Sequence, residues 1–292
     1  MPVDYVELLS TVKYPLFLVS AYDVAKCPPM QRSRFDNAVE EAKRNDSMIL
    51  MDSGNYEAFW KDDLSWTPDR FHSIAKTSEH NLCFCHDNQK PLGPPETIAA
   101  DVVSSVLRDQ TYAIGTVAPI VHGSAGLLPI AARLVANQLF PLLLAVPERA
   151  LGDGIVARAQ AVRRIRKALD GLEVYCPLHL LGTGNPISIA VYTMAGADSF
   201  DGLEWCQTVV DHETGRLFHF HQWDLFKGQT AWGSDGSLPY IQSVLMHNLE
   251  FYRKFMGELR MALMDGSVEF FLSKYATEEQ ISLLISALNG GD

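Results

Sequence analysis

The stretch CPLHLLGTGNPISIAVYTMAGADSFD (176–201) decides the fold. Its first part, CPLHLLG (176–182), is an apolar run too short for a helix and reads as a buried strand. Gly182, Gly184 and Pro186 then punctuate the chain, and PISIAVYTMAGA (186–197) reads as a helix. SFDGLEW (199–205) reads as a second, shorter strand. Strand, tight turn, helix and strand form one βα unit, and such units build parallel sheets. A glycine-rich turn of this kind can present backbone N–H groups to a phosphate or other ligand, and it serves equally as a plain tight connection.

The same alternation recurs upstream. LFLVS (16–20), MILMD (48–52), LCFCHD (82–87), VAPIVHG (117–123) and PLLLAVP (141–147) read as strands. Helical patterns separate them: RSRFDNAVEEAKRN (32–45), TIAADVVSSVLRDQ (97–110), GLLPIAARLVANQL (126–139) and IVARAQAVRRIRKALDG (155–171). No G-x-G-x-x-G follows the first strand, which weakens an open dinucleotide-binding sheet. The number of βα units fits an α/β fold of the TIM type, a (β/α)8 barrel, better than a doubly wound sheet. The last quarter differs. Residues 207–240 are polar, aromatic and rich in histidine, and SVLMHNLEFYRKFMGELRMALMDGSVEFFLSKY (243–275) reads as two helices broken at Asp265–Gly266. The expected organisation is a barrel over 1–206, a modified subdomain over 207–242, and C-terminal helices over 243–292 that complete the barrel.

Composition narrows the function classes. The chain has 292 residues, 47% of them hydrophobic, and a net charge of −11. That acidity argues against a protein held on nucleic acid by bulk positive charge, though not against a local grip. RRIRK (163–167), Arg253, Lys254 and Arg260 are candidate phosphate contacts, each of which also reads as an ordinary solvated helix face. No stretch approaches the roughly 18–20 apolar residues of a membrane span. MPVDYVELLSTVKYPLFLVS carries an acid at Asp4 and no basic region ahead of its apolar run, unlike a signal peptide. Five cysteines (27, 83, 85, 176, 206) make an odd, sparse set, and the expectation is a cytoplasmic protein without membrane partners.

Barrel chemistry sits where strands end. The polar residues there are Asp52, Asp87, His122, Glu148, Gly182 to Gly184 and Asp201. Asp52 precedes a Ser53-Gly54-Asn55 turn and the aromatic Tyr56, which suits a planar heterocycle; a capping aspartate is the plainer reading. Asp87 can accept paired hydrogen bonds from a guanine-type N1–H and exocyclic amine, or simply cap a turn. Asp201 lies within a strand, where a carboxylate can act as a nucleophile at an anomeric carbon and a second, such as Asp52, as general acid/base. Cys83 and Cys85 with His86 resemble a zinc pattern weakly, and buried strand thiols are the stronger reading.

These segments, in this order, resemble the tRNA-guanine transglycosylase family. MDSGNYEAF (51–59) looks like its D-S-G-G-[FY]-Q-V motif, CHDNQKP (85–91) its F-D-E-C-x-P motif, and PIVHGS (119–124) its G-I-x-Q-G-S segment. LLLAVPER (142–149) is similar to G-G-L-A-V-G-E, and 176–201 follows P-x-Y-L-M-G-V-G-x-P…G-x-D-M-F-D. The H-N-x-x-F-Y helix matches His247 onward.

The resemblance implies a (β/α)8 barrel that exchanges guanine in nucleic acid for a 7-deazaguanine base. It implies Asp201 as nucleophile and Asp52 as general acid/base. Asp87 would recognise the base edge and Tyr56 would stack on it. His122, Leu143, Leu144, Glu148, Gly182 and Gly184 would line the pocket. The family's tRNA-contacting P-T-R…R-N-G stretch is replaced here by GLEWCQTVVDHE (202–213), which brings the chain closer to the branch that modifies DNA. DNA is therefore the favoured polymer; the same exchange on tRNA, or hydrolysis of a 7-deazaguanine nucleoside, is the alternative. The C-x-C-x2-C zinc motif is missing, and a rewired set of Cys206, His219, His221 and His247 is the candidate for structural zinc; no organic cofactor is implied. Accessory proteins and a homodimer are further partners the resemblance suggests.

Overall fold

The computed structural model describes residues 3–289 and is an α/β protein with parallel sheets. The chain divides into two compact units, Met1–Ala150 with Lys167–His179, and Leu151–Arg166 with Leu180–Asp292.

The first unit begins with α1 (Val3–Thr11), β1 (Leu16–Ser20), α2 (Ala21–Lys26), α3 (Pro29–Arg44) and β2 (Met48–Asp52). It continues through α4 (Asn55–Trp60), α5 (Pro68–Ala75), β3 (Leu82–Phe84), α6 (Pro95–Gln110), β4 (Thr116–Ala118), α7 (Leu128–Leu139) and β5 (Leu144–Pro147). Helices α3, α5 and α6 each start on a proline, whose fixed φ and missing N–H suit the first helical position. β1 to β4 pair in sequence order. The pairing is parallel, with Ser20 opposite Asp52, Met51 opposite Cys83 and Phe84 opposite Ala118. Past β4, Ile120 bridges Ala145 of β5 in the same parallel sense. The Leu144 N–H then reaches the Pro177 carbonyl at 2.9 Å, ahead of β6 (Leu178–Leu181).

The strands read as continuous apolar runs because both faces are covered. Ile49, Met51, Cys83, Phe84, Leu144, Ala145 and Val146 are all fully buried. One register through parallel strands places the residues that follow them at one end of the sheet. Asp52, Asp87, His122 and Glu148 all leave the first unit's sheet at that C-terminal end.

Several strands are shorter than their apolar runs, two of them for a local reason. LCFCHD pairs as strand only to Phe84; the His86 N–H leaves the ladder to donate to Asp109 Oδ2 at 2.6 Å. VAPIVHG stops at Ala118 because Pro119 has no N–H for the ladder.

The second unit takes up the chain in α8 (Gly154–Leu169) and again from the second half of β6. It then runs through α9 (Pro186–Ala195), β7 (Ser199–Phe200), α10 (Glu204–Gln207), β8 (Thr208–Val210), β9 (Leu217–His219), α11 (Tyr240–Asp265), α12 (Val268–Leu272) and α13 (Glu278–Asn289). SFDGLEW is therefore a two-residue strand, a turn at Asp201–Leu203 and a short helix, not one strand. β8 and β9 form an antiparallel hairpin with Val209 opposite Phe218, closed by Gly215 at φ 66°. Asn248 fastens α11 to that hairpin. Its Oδ1 accepts from the Val210 N–H at 3.0 Å, and its Nδ2 donates to the Trp205 and Thr208 carbonyls.

α9, α11 and α12 share a core of Ile189, Phe251, Phe255, Leu259, Phe271 and Leu272. α11 ends at Gly266, φ 74°, where the sequence breaks the helix. None of the described helices is long and apolar enough to cross a membrane.

Candidate functional site

In the first unit, four successive strand ends supply one polar cluster. After β2 the backbone turns at Gly54, φ 75°, with its N–H donating to Asp52 Oδ2 at 2.8 Å. Only glycine fits there: a Cβ at position 54 would lie 2.3 Å from Tyr22 Cβ and 2.5 Å from Tyr22 N. The turn aims Ser53 inward, and Ser53 Oγ donates to Asp87 Oδ1 at 3.1 Å. Trp66 Nε1 holds the turn from outside by donating to the Ser53 carbonyl at 3.1 Å.

Asp87, 6% exposed, is the hub. His122 Nε2 lies 2.5 Å from its Oδ2, and Gln89 Nε2 donates to that same oxygen. Asn55 Nδ2 donates to the Asp87 carbonyl. Burying a carboxylate costs several kcal/mol unless its lone pairs are met. Here they are met by three side chains from the turns that follow β2, β3 and β4. A cavity of about 20 Å³ beside Asp87 and His122, walled by Cys85, Ile98 and Ile120, has room for one water.

Tyr56, on the first turn of α4, is 46% exposed. The Arg149 guanidinium lies over its ring, 4.2 Å from the centroid, and Arg149 Nη2 donates to Gln89 Oε1. Glu148 opens the single 3-10 turn that follows β5 and carries Arg149. Leu144 is fully buried and Leu143 half-buried at the start of β5.

In the second unit the glycine turn wraps around Asp201. The Gly182 N–H donates to Asp201 Oδ1 at 2.8 Å, and the Thr183 N–H to the Asp201 carbonyl at 2.5 Å. Gly182 has φ 80° and is exposed. Gly184 is held from two sides. Tyr252 Oη on α11 donates to its carbonyl at 2.7 Å, and a Cβ there would meet Glu204 Oε2 at 1.9 Å. The backbone amide thus fixes one oxygen of Asp201 beside the Glu204 carboxylate's loop.

The residues expected to hold zinc are engaged with other protein groups or lie at the surface. His247 is fully buried with both ring nitrogens engaged, Nε2 with the Val210 carbonyl at 2.7 Å and Nδ1 with Thr230 Oγ1 at 3.2 Å. Cys206 Sγ donates to the Leu203 carbonyl at 3.3 Å. His219 and His221 are neighbours, ring centroids 4.9 Å apart, on the exposed end of the hairpin. Among the described residues no group of three or more His, Cys, Asp or Glu is arranged to hold a metal ion. Burial pushes the Cys83 thiol up to about 12, and the Cys85 thiol also rises, as expected of packing thiols.

Ser53 reads from sequence only as a turn residue, and Gln89 and Arg149 carry no functional reading there. The signal for Gln89 was its place two residues past Asp87. Arg149 had only its position beside Glu148. No protein-family model matches this chain, and no curated protein matches it.

Proposed function

We propose that the protein is a transglycosylase that exchanges guanine in nucleic acid, DNA in preference to tRNA, for a 7-deazaguanine base. The observation that carries this is the Asp87 cluster: a buried carboxylate, fixed by Ser53 and His122, beside the Asp52 turn and the stacking face of Tyr56. A carboxylate so held matches the paired N1–H and exocyclic amine of guanine. The resemblance of the ordered segments to the tRNA-guanine transglycosylase family supports the same reading. In this proposal the parallel strands belong to a (β/α)8 barrel, the fold that the resemblance implies, in which chemistry sits at the C-terminal ends of the strands.

The chemistry follows from those groups. The target nucleotide leaves the stack, since its C1′ and base edge are otherwise out of reach. An Asp201 carboxylate oxygen attacks C1′, the C1′–N9 bond breaks, and its electron pair leaves with the base. Asp52 supplies the proton that neutralises the departing guanine. The 7-deazaguanine then gives its N9 proton to Asp52, and N9 attacks C1′ to expel Asp201. The Gly182 N–H holds one Asp201 oxygen.

The test is exchange of labelled guanine with DNA, tRNA and free nucleoside as matched substrates. Incorporation into DNA is expected. Incorporation into tRNA alone would transfer the reading to the other polymer, and release of base without incorporation would make the protein a nucleoside hydrolase.

A further inference from the structure

Asp87 and Tyr56, the two groups assigned to the base, are both already engaged by the protein itself. Gln89 donates an amide N–H to Asp87 Oδ2. Arg149 donates to the same Gln89 side chain through Oε1, and its guanidinium carbon lies over Tyr56, 4.2 Å from the ring centroid. A planar cation on the ring and an N–H donor on the carboxylate reproduce what a guanine-type base would offer: a flat π-face and an amine on the acid. A base cannot slip between Tyr56 and Arg149 as they stand, because a sandwiched ring needs roughly 7–8 Å, twice the usual van der Waals spacing. Arg149 is exposed, and its only described polar partner is Gln89, so nothing anchors it if a ligand competes for the site.

We propose that Gln89 and Arg149 form an internal arm that occupies the base site by imitating a planar heterocycle bearing adjacent N–H donors, and that guanine or a 7-deazaguanine must displace the arm to bind. The proposal rests on the base-exchange reading above and adds a gate to it. The arm lowers apparent affinity by the fraction of time it is in place. An arm seated about nine-tenths of the time weakens binding about tenfold. It also adds selectivity. A purine without the N1–H and amine cannot replace the Gln89 donor on Asp87, so leaving the arm seated costs such a competitor more than it costs guanine.

Direct titration of the purified protein with guanine, 7-deazaguanine and adenine tests this. Arg149→Ala and Gln89→Ala are compared with the unaltered chain. Arg149 is exposed, so Arg149→Ala is expected to keep the parent's unfolding temperature, whereas Gln89→Ala removes one of the three side chains that meet Asp87 and is expected to lower it by a few degrees while staying folded. Each variant should bind guanine and 7-deazaguanine about tenfold more tightly, with adenine left weak. Equal or weaker guanine binding in either variant would overturn the arm and leave the base-exchange reading intact. Adenine gaining as much as guanine in Arg149→Ala would also overturn it, since the arm would then be a plain steric block. Failure of both guanine and 7-deazaguanine to bind any form, Arg149→Ala included, would remove the arm and the base-exchange reading together.

Discussion

Asp87 shows how much one residue's surroundings decide. It is a carboxylate with almost no exposed surface, and it is tolerated because Ser53, His122 and Gln89 all meet it. Asp87→Asn keeps the shape but sets an amide N–H against donors. The expected loss is about 2–4 kcal/mol of stability and nearly all base binding, read by urea unfolding and by titration with guanine. Gly54→Ala should be as damaging, by several kcal/mol, because its Cβ would collide with the Tyr22 backbone at a left-handed φ.

His247 makes a different prediction. Burial first, opposed by its bond to the Val210 carbonyl and reinforced by the neighbouring His212, lowers its pKa from 6.5 to about 4. The unfolded chain then binds more protons than the folded one between those values. Stability from this residue is complete above about pH 6.5 and is lost as pH falls toward 4, by on the order of 3 kcal/mol. Urea midpoints measured across that range should fall with acid in the parent chain and fall less in His247→Gln. Equal slopes would contradict the assignment.

At the scale of elements, the strand ends were legible and the strand lengths were not. Alternating apolar runs and helical patterns placed Asp52, Asp87 and His122 past successive strands, and a single parallel register then brings those positions to one end. The apolar runs overstated pairing where something local intervened: Pro119 without an N–H, or Asp109 capturing the His86 amide. Asp109 itself is 23 residues from His86, too far for any local pattern to reveal. The partners of the zinc set were hidden for a similar reason. Its spacing was suggestive, but Val210 and Thr230 had already taken both nitrogens of His247. Those partners come from β8 and from a bend at Thr230 that residue types alone did not place. A chelator at millimolar concentration is therefore expected to leave the unfolding temperature unchanged. A fall of more than about 5 °C, reversed by zinc, would show that the hairpin and α11 rearrange around a metal.

For the whole molecule, a net charge of −11 constrains how the nucleic acid of the proposed reaction would be held. Phosphate contacts must be few and local, so the salt dependence of DNA affinity should be shallow, a log–log slope of about −2 to −4, measured by anisotropy between 50 and 200 mM salt. A slope near −8 would mean an extensive basic footprint that this composition does not supply. Accessory proteins that open the duplex would add their own phosphate contacts and steepen the slope of the complex relative to the chain alone.

The central claim is covalent chemistry at Asp201, and the most direct measurement is capture of the glycosyl-enzyme. The protein is incubated with DNA or tRNA, denatured rapidly, digested, and the adducted peptide mapped by mass spectrometry. The account predicts a DNA adduct on the peptide containing Asp201, present in the parent chain and absent from Asp201→Ala. No adduct with either polymer under conditions that support exchange, or an adduct that persists in Asp201→Ala, would contradict it.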